Sequence, residues 1–159
     1  MTRGMERIRY PARFYRDPED EQARIVVEFP DLGGAGISTF GDTLEEARAN
    51  AIEALTVYLE GSFERGFELD PLSRRLPAGE GWQWVHPETA VEVPLLVRHL
   101  RKKAGLTQKE AAHRLGVPYT NWQKWEHPEK CNATLKTLDR IAQVFGYELE
   151  VTFRPRRAS

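Results

Sequence analysis

Cysteine is almost absent: Cys131 stands alone in 159 residues, so no intrachain disulfide framework can hold this chain. No apolar run is long enough to cross a bilayer, and the N-terminus shows no charged-then-apolar signal pattern. A soluble cytoplasmic protein without membrane contact is the expectation. Catalytic constellations are missing as well. No Ser-His-Asp or Cys-His arrangement is legible, and "GGAG" at 33–36 lacks the Lys and Ser/Thr of a phosphate-binding loop. His86, His99, His113 and His127 reach no metal-ligand spacing beyond the isolated His127 and Cys131 pair, which is more often coincidence than a zinc site. The carboxylates Asp17, Glu19, Asp20, Glu21, Glu28 and Asp31 could in principle hold a divalent metal for phosphodiester hydrolysis. Most lie in an apparent turn, however, where a solvated charge cluster is the usual explanation. Neither catalytic residues nor a metal nor a cofactor is expected, and the chain is read as a non-enzyme.

With about 40% hydrophobic residues, the chain can bury one substantial core or two small ones. Its net charge of −1 hides an asymmetry. Residues 1–93 carry 10 Lys or Arg against 18 Asp or Glu, a net of −8, while residues 94–159 carry 13 against 6, a net of +7. A basic half suits a polyanion, and an acidic half suits a basic partner or plain solubility. Each half taken alone could simply present a solvated face. Opposed signs in one chain point to a division of labour.

In "RIRYPARFYRD" the residues Ile8, Tyr10, Ala12 and Phe14 alternate with Arg9, Pro11 and Arg13, the period of a half-buried strand, and the Pro places it near a sheet edge. "ARIVVEFPD" repeats the alternation after the acidic turn "DPEDEQ", so the two runs read as a hairpin. A third short strand is expected around Ile37 and Phe40. At Asp42 and Thr43 the period changes: Leu44, Ala47, Ala51, Leu55, Tyr58 and Leu59 fall on one helical face. Thr43 with Glu46, or Asp42 with Glu45, fits a capping box. A loop rich in Gly, Pro and charge follows, and then candidate strand pieces at "WQWV" and "VEVP" that could complete the sheet.

From Pro94 the chain reads as helical. "PLLVRHLRKKAG" opens on a first-turn Pro and closes on Gly105. "LTQKEAAHRLG" starts with a Thr107/Glu110 capping box and ends at Gly116, and a short turn leads into "YTNWQKWE". After "HPEKCN", Leu135, Leu138, Ile141, Ala142 and Phe145 share a helical face. "YELEVTF" then alternates like a strand. Such a strand needs a partner, either the same strand of a second protomer or a segment of its own chain.

A capped helix, a Gly-containing turn and a second helix inside a basic bundle make a helix-turn-helix. In that arrangement the second helix enters the DNA major groove and the first spans the backbone. Tyr119, Thr120, Gln123 and Lys124 form the outward side of the second helix. Lys124 could reach a guanine edge or a phosphate, Gln123 an adenine, and Thr120 a thymine methyl or a phosphate. Gln108, at the amino end of the first helix, is placed to donate to a phosphate or is simply solvent-exposed. Trp122 and Trp125 point towards the inner helices. Core packing is therefore favoured over base stacking, which needs exposed rings on a groove or sheet.

These residues carry a resemblance. "YPARFYRDPEDEQARIVVEFPDLGGAGISTFGDTLEEARANAIEAL" resembles the N-terminal domain of HicB-type antitoxins, above all in "EFPDL" and "GDTLEEA". "LTQKEAAHRLGVPYTNWQKWEHPEKCNATLKTLDRIAQVFG" resembles the Xre/Cro-type helix-turn-helix at the C-terminus of one HicB subgroup. The resemblance implies an α+β chain: a partial RNase H-like sheet-plus-helix domain over residues 5–93, then an all-α helix-turn-helix bundle with a C-terminal dimerising strand over residues 94–159. It further implies a type II toxin-antitoxin system. The first domain would bind and block a small, basic, mRNA-cleaving HicA-type toxin, inhibiting without catalysing. The second would bind the operon's own operator DNA and repress it as a homodimer, and dimers could pair further into tetramers. By the same analogy Tyr119, Thr120 and Lys124 sit at base-reading positions and Gln108 at a backbone position; the toxin-contact residues are not assigned. Trp122 stands where the family usually places a smaller aliphatic residue, and Gly33, Gly34 and Ala35 replace its usual Pro-Gly-Cys. The alternative from another class is a one-component transcription regulator whose N-terminal domain senses a small ligand.

Overall fold

Alternation in the first hydrophobic run becomes a strand, β1 (Tyr10–Arg16), whose residues Tyr10, Ala12 and Phe14 are buried while Arg13 and Arg16 are exposed. The structure is a computed structural model and describes residues 5–155. The chain divides into two compact units, Met1–Val91 and Glu92–Ser159.

In the first unit β1 pairs antiparallel with β2 (Ile25–Phe29), setting Arg13 opposite Glu28 and Tyr15 opposite Val26. β2 pairs antiparallel with β3 (Ile37–Gly41), setting Val26 opposite Phe40. The anticipated "WQWV" strand exists as β4 (Trp82–Val85) and pairs antiparallel with the other side of β1, giving the order β3-β2-β1-β4. A single helix, α1 (Leu44–Glu64), buries Ala47, Ala51, Leu55 and Leu59. With Ile8, Val27, Phe29 and Leu32 these make a core of side chains at 0% exposure. Small residues at 47 and 51 let the helix come close to the sheet. Gly41 is part of the same fit, because a Cβ there would lie 2.4 Å from the Ala47 amide nitrogen.

Thr43 is the N-cap of α1: its hydroxyl accepts from the Glu46 N–H at 3.1 Å, and the Glu46 carboxylate accepts from the Asp42 N–H at 2.8 Å. Leu44, assigned to the buried face by its spacing, is instead 41% exposed, since the first helical residue overhangs the sheet contact. Asp70 ties the long loop after α1 back onto this unit. Its carboxylate accepts from the Tyr58 hydroxyl at 2.6 Å and the Gly33 N–H at 3.3 Å, and its carbonyl accepts from the Tyr10 hydroxyl at 2.9 Å. Burial first, and then the Asp70 carboxylate, push both phenols above their ordinary pKa.

Two expectations need correction. "VEVP" is no strand, and Pro94 does not open the next helix: α2 runs Thr89–Lys103 with Pro94 inside it. Val91 and Leu95, one helical turn apart, are 2% and 0% exposed. Their burial outweighs both the β-propensity of the valines and the backbone hydrogen bond that an internal Pro forfeits. The start of α2 is held by the Glu88 N–H, which donates to the buried Thr56 hydroxyl at 3.0 Å. The second correction concerns β1: Pro11 does not place it at a sheet edge, since β1 lies between β2 and β4. "YELEVTF" is neither helix nor strand within the single chain. A strand exists only through its ladder, and no described segment pairs with this one.

The second unit continues with α3 (Gln108–Leu115), α4 (Tyr119–Trp125) and α5 (Leu135–Val144). Its core gathers Val97, Ala111, Ala112, Leu115, Trp122, Trp125 and Ile141. Among the described residues no helix is long and apolar enough to cross a membrane.

Candidate nucleic-acid interface

α3 begins where the capping box predicts. The Thr107 hydroxyl accepts from the Glu110 N–H at 3.2 Å, and the Glu110 carboxylate accepts from the Thr107 N–H at 2.7 Å. Those bonds hold the Glu110 carboxyl below its ordinary pKa, with the backbone bond to Thr107 the largest cause. α3 ends at Gly116, whose left-handed φ of 73° lets its N–H return to the last carbonyls. Val117 and Pro118 complete the turn, and Pro118 caps α4 without a side-chain hydrogen bond. On α5, Arg140 donates to the Leu115 carbonyl at 2.9 Å, satisfying an orphan acceptor at the end of α3.

α4 then splits by face. Trp122 is 0% exposed and Trp125 8%, with their rings edge-on at 6.0 Å. Phe145 from the end of α5 meets Trp122 in the same way, also at 6.0 Å. A buried indole removes roughly 200 Å² from water, on the order of 5 kcal/mol of gross transfer energy. Both tryptophans are therefore core. Tyr119, Thr120, Gln123 and Lys124 are exposed and lie together on the opposite face.

Three of the five expected residues, Gln108, Tyr119 and Gln123, are linked by hydrogen bonds. The Gln123 amide donates to the Tyr119 hydroxyl at 2.9 Å, and that hydroxyl donates to Gln108 Oε1 at 3.4 Å. Gln108 Nε2 donates to Glu126 Oε2 at 2.8 Å. Gln108 is thus half-buried rather than a freely solvated first-turn residue. Lys109 lies with its ammonium 5.6 Å from the centre of the Tyr119 ring, close enough for cation–π attraction.

Sequence reasoning missed what lies beneath. Glu126, 1% exposed, accepts from Trp122 Nε1 at 2.6 Å and from Arg101 Nε at 2.5 Å and Nη2 at 3.0 Å. Arg101 Nη1 also donates to the Leu106 carbonyl at 2.7 Å. One carboxylate therefore joins α2, the amino end of α3 and the carboxyl end of α4. The legible signal was the spacing of four between Trp122 and Glu126, which lets an indole N–H reach a carboxylate on the next turn. Arg101, in a run of basic residues, carried none.

The acidic residues of the β1–β2 turn also have places. The carboxylates of Asp17 and Asp20 accept backbone N–H groups within the β1–β2 turn, at 2.9 and 3.0 Å. Among the described residues no three His, Cys, Asp or Glu side chains gather as a metal site.

Comparison with known proteins agrees with this division. Residues 10–80 match the family described as HicB-like antitoxin of bacterial toxin-antitoxin system, and residues 97–151 match a helix-turn-helix family. The chain is also 29% identical over 151 residues to "Antitoxin HicB 1" of Photorhabdus laumondii, covering 93% of this chain and 88% of that protein. Its N-terminal part is therefore similar to HicB-like antitoxin domains, and a segment similar to helix-turn-helix domains follows it in the same chain.

Proposed function

We propose that this protein is the antitoxin of a type II toxin-antitoxin pair, with residues 5–93 binding and neutralising a HicA-type, mRNA-cleaving toxin and residues 94–159 binding the operator of its own operon. One observation carries the reading: a HicB-like domain of net negative charge is joined to a basic helix-turn-helix whose exposed polar face is built on a buried clamp. Opposite charges separate the two tasks. Lys124, Thr120 and Gln123 meet base edges or phosphates, Tyr119 contacts the backbone or a base, and Gln108 donates its remaining amide N–H to a phosphate. The protein acts by binding and not by catalysis.

DNA readout of this kind works through a homodimer. Val151 and Phe153, 56% and 93% exposed, alternate with polar residues in the terminal segment, and pairing with the same segment of a second copy would complete their strand. Two recognition helices about 34 Å apart then read a palindromic operator. The test is co-expression of the full chain with the short protein encoded beside it. Relief of growth arrest, together with repression of a reporter driven by the operon's promoter, is expected. Repression without any relief of toxicity would instead support a one-component regulator.

A further inference from the structure

Among the described residues of the first unit no helix covers the sheet face opposite α1, and at its β2–β3 end this face opens into a groove of about 830 Å³. The floor sets two apolar side chains, Val26 and Phe40, beside Ser38 and Thr39. Val26 lies opposite Phe40 in the register, and Phe40 is 51% exposed although it is a large aromatic. Its ring is held in place by the Arg24 guanidinium, 4.4 Å from the ring centre, which is itself bound to Asp20 at 2.8 Å. One wall is the turn between β1 and β2. Because Asp20 is matched by Arg24, the wall's remaining charge comes from Asp17, Glu19 and Glu21, the last two exposed. The Asp17 and Asp20 side chains also accept backbone N–H groups of the turn, which fixes the wall's shape before any partner arrives. Straight addition of a strand to β3 is discouraged, since the Phe40 carbonyl already accepts from Asn50 Nδ2 at 2.8 Å.

A small apolar patch beside carboxylates that outnumber their cations selects a positively charged polypeptide and repels a polyphosphate. We infer that this groove receives a basic stretch of the partner protein, with an apolar side chain resting on Phe40 and Val26 and a flanking lysine or arginine set against Glu19 and Glu21. The inference rests on the toxin-binding reading of the N-terminal unit and names the surface that does the binding.

The test compares the full-length chain with two variants, Phe40→Asp and the pair Glu19→Lys with Glu21→Lys, against a nuclease-inactivated HicA-type toxin encoded beside it. All three positions are exposed, and operator binding by the same samples reports that the chain is intact. Each variant is expected to bind the toxin at least about tenfold more weakly while operator affinity stays unchanged. Toxin affinity that stays within about twofold of the original in both variants overturns the inference. So does a groove that takes single-stranded RNA and loses it with Phe40→Asp. A wild-type chain that does not bind the toxin at all removes the antitoxin reading itself, an outcome distinct from failure of the groove alone.

Discussion

Arg101 holds Glu126 by two N–H···O bonds, Nε to Oε1 at 2.5 Å and Nη2 to Oε2 at 3.0 Å, and so locks α2 to the end of α4. The guanidinium matches the planar carboxylate, and the further bonds from Trp122 and Gln108 leave its lone pairs occupied. A buried pair of this kind adds little net stability against an apolar replacement, because both charges lose their hydration. What it does add is a defined seat for α4, which is only seven residues long.

Removing one partner should therefore hurt more than removing both. Glu126→Ala leaves the Arg101 guanidinium buried without its anion, and a loss of about 3–5 kcal/mol is expected in the unfolding transition of the C-terminal unit. The double variant Arg101→Met with Glu126→Leu should recover most of that stability. Urea denaturation of the three proteins checks the ordering, and equal losses in the single and double variants would contradict it.

Thr120→Ala and Lys124→Ala, both on exposed positions, should leave the melting temperature nearly unchanged. Operator affinity is expected to fall by about 1–3 kcal/mol for a lost base contact, with specificity relaxed at that base pair. If Lys124 meets a phosphate instead, affinity falls on all sequences and the salt dependence drops by about one counterion. Fluorescence anisotropy across a salt series separates the two outcomes.

Alkaline pH should loosen the first unit. Burial and the Asp70 carboxylate raise the folded pKa of Tyr10 and Tyr58 above the ordinary 10.0, so the folded state holds these protons more tightly than the unfolded chain. Their contribution is fully present below pH 10.0 and is lost as pH rises through the raised values. Asp70→Asn should flatten this loss, because it removes the charge that opposes ionisation. Denaturation midpoints measured from neutral to strongly alkaline pH provide the check, and an unchanged slope in Asp70→Asn would count against the assignment.

Gly41→Ala places a Cβ 2.4 Å from the Ala47 nitrogen, and backbone cannot swing aside as a side chain can. The helix must lift from β3, at an expected cost of about 1–3 kcal/mol or more. Toxin binding should weaken while operator binding persists. Equal loss of both would show that the damage is not confined to the first unit.

Much of this architecture was legible because periodicity is a local property. Ile25, Val27 and Phe29 alternate, so they can bury only as a strand. Thr107 and Glu110 sit three apart, so they close a capping box on whatever helix they begin. Tyr119, Thr120, Gln123 and Lys124 emerged as one exposed face by the same arithmetic of helical spacing. "VEVP" misled because its valines favour strand locally, while burial of Val91 and Leu95 decided for helix. "YELEVTF" alternates like a strand, but a strand forms only against a partner, and no described segment of the same chain pairs with it.

By itself, then, the sequence determined the opposition of charge between the two halves and, through residues within a few positions of one another, most strand and helix segments other than the start of α2, the capping residues and the outward face of α4. Only the tertiary structure decided that Gln108 is tied to Glu126, that Glu126 is buried at all, and that its cation is Arg101. Those three residues span 25 positions of chain, and no periodicity connects them. Their meeting depends on how α2, α3 and α4 pack around Trp122, where a carboxylate denied water must find its donors in the protein.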